Sequence, residues 1–248
     1  MEVLYKQCCG IVIHKNMLMA CVITGVRKKE IRQFGTMTED ILQLIQWLKD
    51  TNCEMVAMES TGNYWKPVYN IFEDKGIPII VVNAQHIKGV PGRKTDVKDA
   101  EWIADLVRHG LVKSSYIPNR ELRELREITR YRQESIEERA RELNRVQSIL
   151  EGANIKFGSV ISDISEKTGI TILKAIVNGT TDPVILSDLA ESLALKKIPE
   201  LQKALRGTLK KHQMLMLRHQ LDHIETLSDI VTQLDVDIKK SRILQCAS

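Results

Sequence analysis

Between residues 7 and 34 three short runs of strand-forming residues follow one another with only a few residues between them. Residues 8–13 are apolar and rich in β-branched side chains. Residues 18–24 resume after the polar break Lys15-Asn16, and Gly25 closes that run. Residues 30–34 alternate in polarity. A parallel crossover needs a dozen or more residues, so connections this short impose an antiparallel meander.

The pattern then changes. Residues 36–50 read as a helix: Thr36 and Glu39 match a capping box, and Ile41, Leu44, Ile45 and Leu48 recur at helical spacing. Residues 54–58 are a short buried strand. Residues 63–75 are a helix stopped by Gly76 and Pro78. Residues 77–82 are almost purely β-branched, as a buried parallel strand requires. A loop carries Gln85, His86, Ile87, Lys88 and Gly89. Pro91 and Gly92 break the backbone, Thr95 is placed to cap, and a further helix runs to about His109. The order β-β-β-α-β-α-β-loop-α predicts an α/β, ribonuclease-H-like (RuvC-like) mixed five-stranded sheet with helices packed on it.

After Pro118 the chain turns helical, which divides it into domains at 1–117 and 118–248. Asn119 can cap a long helix to about Glu151, with eight arginines and eight glutamates and a net charge near zero. That composition reads as a salt-bridged helix of a hairpin or coiled coil, with a basic DNA clamp as the alternative. Short helices are expected over 161–166, 170–177, 183–191 and 199–205. From about 208 to 244, Leu217, Ile224, Leu227, Val231, Leu234 and Ile238 repeat at heptad spacing, with Gln220 the polar exception. The stripe can serve a coiled coil between chains or pack internally.

With 248 residues, 43% of them hydrophobic and 27% charged, the chain has enough material for a sizeable core. A net charge of +4 permits a nucleic-acid partner without demanding one. No apolar run reaches membrane-spanning length. The five cysteines form no Cys-x-x-Cys pair, and no signal peptide precedes them. Reduced thiols and a cytoplasmic location, away from any membrane, are the expectation.

Three acids stand out. Glu59 directly follows the strand 54–58, and α/β folds place their sites at the carboxyl ends of parallel strands. Asp96 and Asp99 share one face of the first turn of the helix after Thr95. As first-turn acids they also favour the helix dipole, and Glu59 could simply meet solvent, so a structural role is open for all three. If they converge, such a cluster binds divalent cations and drives phosphodiester chemistry.

The blocks Met58-Glu-Ser-Thr-Gly-Asn-Tyr-Trp65, Val82-Asn-Ala-Gln-His-Ile-Lys88 and Arg93-Lys-Thr-Asp-Val-Lys-Asp99 resemble the DEDD transposases of the insertion-sequence one-ten family. Gly10-Ile-Val-Ile-His-Lys15 resembles that family's first strand. The resemblance is close from residue 10 to about 150 and looser beyond. It implies a resolvase-like domain with four acidic residues holding Mg2+, and cutting and rejoining of DNA for transposition. The implied partners are transposon ends, target DNA and an element-encoded guide RNA, with a homo-oligomer formed through the coiled coil. Three of the four acids map onto Glu59, Asp96 and Asp99. The first belongs where this chain has Val12.

A valine cannot ligate a hard cation. Glu2 lies well before the strand, and His14 is a poor magnesium ligand, so neither compensates. His14 and His86 read as loop or edge residues. The family also has a serine-bearing domain after its coiled coil, and the resemblance implies that this chain is truncated ahead of it. The expectation is a transposase-family chain that folds but does not transpose alone. A non-enzymatic nucleic-acid-binding or dimerising remnant is the alternative. Lys88, Arg93, Lys94, Lys98, Arg108 and Lys113 crowd the acids and would hold phosphates, or else are ordinary solvated cations. Tyr64 and Trp65 are expected to pack on the sheet, with base stacking as the alternative.

Overall fold

The computed structural model describes residues 2–25, 28–60, 62–83, 95–161 and 163–246, without the side chains of 192–193 and 242–246. Lys88, Arg93, Lys94 and His86 lie outside the described residues. The chain divides into two compact units, Met1–Pro118 and Asn119–Ser248.

In the first unit, β1 (Gln7–Ile13), β2 (Leu18–Thr24) and β3 (Lys28–Phe34) form the meander. β4 (Met55–Glu59) and β5 (Ile79–Val82) follow, separated by α2 (Trp65–Asp74). The sheet order is β3-β2-β1-β4-β5. β1 pairs antiparallel with β2 and parallel with β4, and β4 pairs parallel with β5. A three-strand meander whose first strand receives two parallel strands is the ribonuclease-H-like topology.

Side chains alternate across each strand, so the sheet sorts its residues onto two faces. Cys9, Ile11, Ile13, Val56 and Met58 face a core that also holds Leu44 and Leu48 of α1 (Thr38–Asp50) and Phe72 of α2. Cys8, Val12, Cys21 and Ala57 face the opposite way, against Ala100, Ile103, Ala104 and Val107 of α3 (Asp96–Arg108). The capping of α1 falls one residue later than its sequence suggests. The Met37 amide donates to Asp40 Oδ2 at 3.2 Å, while Thr36 Oγ1 donates to the Lys15 carbonyl. Thr95 caps α3 as expected, accepting from the Lys98 amide at 3.3 Å.

Cys8, Cys9 and Cys21 of this unit are buried, and Cys53 is half-buried. Burial pushes Cys8 and Cys53 up to about 12 and Cys21 up to about 11, from 9.0, and raises Cys9 well above 9.0. A thiol that keeps its proton longer in the folded state lends stability that is complete below its unfolded value. That stability drains away as pH rises from about 9 towards 12. Unit 1 is therefore expected to lose stability steadily above pH 9, followed through urea unfolding at a series of pH values. At pH 8, native Cys8 and Cys21 should react with a thiol reagent at least about tenfold more slowly than in urea. Fast labelling of the native protein would contradict this.

The second unit is built on two long helices, α4 (Arg120–Gly152) and α9 (Lys211–Cys246). Asn119 caps α4 through the Leu122 amide at 3.1 Å. The two helices run antiparallel. Glu142 lies beside His223, Arg139 donates to Ser228, and Arg132 pairs with Asp235, so partners step back along α4 as they step forward along α9. Leu217, Ile224, Leu227, Val231 and Ile238 are buried within the single chain. The heptad stripe thus closes a hairpin, and this seam is not free for a second copy.

Between them lie α5 (Phe157–Val160), α6 (Lys167–Val177), α7 (Pro183–Ser187), a 3-10 turn (Ser192–Lys197) and α8 (Ile198–Ala204). Of the helix expected over 161–166, residue 162 lies outside the described residues and the others are not helical. Asp163 Oδ1 accepts from both the Ser165 amide and the Ser165 hydroxyl, an Asx turn that competes with helix. These same bonds hold the Asp163 carboxyl below its ordinary value.

Candidate functional site

Three contacts fix where α3 lies on the sheet. Cys8 Sγ donates to the Ala104 carbonyl at 3.3 Å. Gly10 faces Ala100 and Ala104, where an added Cβ would stand 2.3 Å from the Ala100 oxygen. Beyond the strand end, His14 Nε2 lies 2.9 Å from Asp96 Oδ1. Moving from residue 8 to 14 along β1 therefore means moving from 104 back to 96 along α3. The helix runs antiparallel to β1, and its acidic first turn overlies the carboxyl end of that strand.

Glu59 arrives at the same end from β4. The register pairs Ile11 with Met58, so the next step sets Val12 beside Glu59. Alternation turns Glu59 to the face of Ala57, which is the face α3 covers. The Ser60 amide donates to the Val82 carbonyl, and Gly62, at φ +52°, supplies the left-handed turn that releases the chain towards α2. Glu59, Asp96 and Asp99 thus share one face and one end of the sheet, all partly exposed.

Val12 is 4% exposed and packs with Ala100, Ile103 and Ala104. The place beside Glu59 is hydrocarbon, filled from both sheet and helix. Asp96 is also committed, because one carboxylate oxygen is engaged by His14. Among the described residues no three His, Cys, Asp or Glu side chains are grouped to hold a metal ion. A hard cation needs several oxygen ligands converging on one point. With Val12 in the fourth place and one Asp96 oxygen engaged by His14, fewer oxygens are free here than a pair of divalent cations takes.

The surrounding cations divide in two. Lys98 and Lys113 are exposed. Arg108 is 9% exposed, and its Nη2 donates to the Gly25 carbonyl at 2.6 Å. It ties the last turn of α3 to the end of β2 and is unavailable to phosphates. This corrects its place among the nucleic-acid contacts: a last-turn arginine on an amphipathic helix can face the sheet as well as water. Lys29 reaches Glu101 of α3 at 3.5 Å and pins β3 to the same helix. Trp65 packs against the core with its ring edge-on to Tyr69 at 5.8 Å, whereas Tyr64 is 47% exposed.

The His14–Asp96 pair escapes sequence reasoning, since the partners are far apart in the chain. The one available signal was the position of His14 just past a strand end, on the side where the acids were expected.

A sheet of order β3-β2-β1-β4-β5, with an antiparallel meander joined to two parallel strands, is the layout of a ribonuclease-H-like domain. The transposase family model of the DEDD, insertion-sequence one-ten type matches residues 9–155, more than half of the chain, and the chain belongs to that family. No curated protein matches it. Among solved structures, a Thermus thermophilus RuvC structure is similar at 15% identity, covering 44% of this chain and 99% of that one, with a TM-score of 0.33. That likeness is too loose to add to the fold assignment, which rests on strand order and direction.

Proposed function

We propose that this chain is a transposase-family protein that binds nucleic acid while its own acidic corner is impaired for strand cleavage. The observation that carries the reading is Val12, set beside Glu59 by the strand register and buried under α3. Family membership supports DNA as the substrate class; an RNA guide is the second nucleic acid of this reading. Magnesium belongs to the same reading, with Glu59, Asp96 and Asp99 as its ligands, and the missing carboxylate weakens it here. Loss of one carboxylate that would help hold the metal is expected to lower a cleavage rate on the order of a thousandfold.

Binding does not need the missing acid. Lys98 stands exposed one residue before Asp99, and Lys113 lies past the far end of the same helix. Lys88, Arg93 and Lys94 precede Asp96 in the sequence and add three more cations to this part of the chain. Phosphate contacts of this kind weaken steeply with salt. Homo-oligomerisation would need a surface other than the α9 stripe. A gel-shift titration with duplex DNA and with RNA, alongside a magnesium-dependent nicking assay, tests the reading. Expected are salt-sensitive complexes without cleavage above background. Robust cleavage by the unaltered chain, or no complex even at low salt, would refute it.

A further inference from the structure

Residues 196–211 carry six cations, Lys196, Lys197, Lys203, Arg206, Lys210 and Lys211, against a single acid, Glu200. All seven are exposed. Elsewhere in the second unit Arg132 pairs with Asp235, Lys167 with Glu191, and Arg145 with Glu142. Among the described residues, Lys196, Lys203, Arg206, Lys210 and Lys211 stand in no ion pair. Lys197 donates to the Val160 carbonyl at 2.9 Å, which leaves its charge uncompensated.

The segment is held firmly. Leu201, Ala204 and Leu205 are buried, so α8 presents Lys203 on its outer side. The Lys156 amide donates to the Ala204 carbonyl, and the Thr208 amide donates to the Ala153 carbonyl. Gly207 between them has no room for a side chain, since a Cβ would stand 2.3 Å from the Ala153 oxygen. Arg206 and Lys210 are thereby fixed beside the start of α9, a helix of 36 residues. Its first turn carries no acid and opens on Lys211. Cations at a helix N-terminus oppose the macrodipole and cost stability, whereas an anion there is favoured both by the dipole and by the free amides. Uncompensated lysines at that end are poorly explained by folding and well explained by an anionic ligand.

We propose that Lys203, Arg206, Lys210 and Lys211 form a second phosphodiester-backbone contact surface, on the helical unit, built from residues other than the cations of the first unit. The inference deepens the nucleic-acid reading above and rests on it. Lysines and arginines without an exposed aromatic partner favour backbone contact over base readout. DNA and RNA offer the same phosphates, and the salt slope separates them, at about 0.9 per contacted phosphate for duplex DNA and about 0.7 for a single strand.

The test is fluorescence anisotropy of the full chain with a labelled DNA duplex and a labelled RNA strand over a salt series. The patch variant carries Lys203→Gln, Arg206→Gln and Lys211→Gln. The control carries Lys28→Gln, Lys49→Gln and Lys75→Gln, equal in charge change and located on unit 1. Thermal melts establish that both fold. The patch variant is expected to bind on the order of a hundredfold more weakly near 0.1 M salt, with a duplex slope lower by about 2.7. The control should bind as the unaltered chain does. Equal binding by patch variant and unaltered chain would overturn this surface and leave the proposed function standing. Absence of any complex with the unaltered chain would overturn both. Patch-dependent binding to phosphatidylserine vesicles, with nucleic-acid binding unchanged, would overturn it in favour of a membrane surface.

Discussion

Gly10→Ala is expected to destabilise the first unit by about 3–5 kcal/mol, near the limit for a single substitution. The added Cβ would stand 2.3 Å from the Ala100 carbonyl oxygen and 2.5 Å from the Ala104 amide nitrogen. Both are backbone atoms of α3, so no rotamer change relieves the clash. The helix must lift off β1, and with it go the burial of Ile103 and Val107 and the placement of Asp96. All three tryptophans, Trp47, Trp65 and Trp102, belong to this unit, so tryptophan fluorescence in urea reports its unfolding alone. Gly25→Ala is the internal comparison. Gly25 has a left-handed φ of +57° but open space around its α-carbon, so its loss should cost only about 1 kcal/mol. Equal effects at the two positions would mean that α3 does not lie so close to β1.

The same glycine marks the limit of what local pattern could reveal. The three strands of the meander were legible because alternation and short connections act within a few residues. Thr95 was legible as a cap because its partner, the Lys98 amide, is three residues away. The closeness of α3 to β1 was not, because a glycine inside a strand signals some close approach without naming the partner. Arg108 was misplaced for a related reason: charge alone says nothing about a carbonyl at residue 25 placed to accept its hydrogen bond. In the second unit the heptad stripe was visible but its partner was not. Apolar spacing is equally satisfied by a second chain and by α4, and only the antiparallel run of side-chain pairs from His223 to Asp235 decides for the latter. The candidate site was legible as three acids and a gap. What the gap does to the geometry, and that His14 engages Asp96, became visible only in three dimensions.

Val12→Asp is expected to destabilise the first unit by about 2–4 kcal/mol in chelator, because a carboxylate replaces a buried valine without a hydrogen-bond partner. It also stands beside Glu59 and at the end of the sheet that carries Asp96 and Asp99, so its charge is repelled. A cation removes that repulsion. If magnesium then binds the four carboxylates about a hundredfold more tightly than its free concentration, linkage returns about 2.7 kcal/mol, most of what the substitution cost. The unaltered chain, with hydrocarbon in the fourth place, should show little change in urea midpoint between chelator and magnesium. Adding Glu59→Gln to the Val12→Asp protein should abolish the recovery, since the effect belongs to the ligand set and not to surface screening. Tryptophan fluorescence in urea, with and without magnesium, reads all three proteins, and calorimetry measures the cation directly. A Val12→Asp protein that is equally weakened in chelator and in magnesium would mean that residues 12, 59, 96 and 99 do not address a common point. In that case Val12 is packing alone, and a carboxylate in its place has no consequence for what this chain can bind.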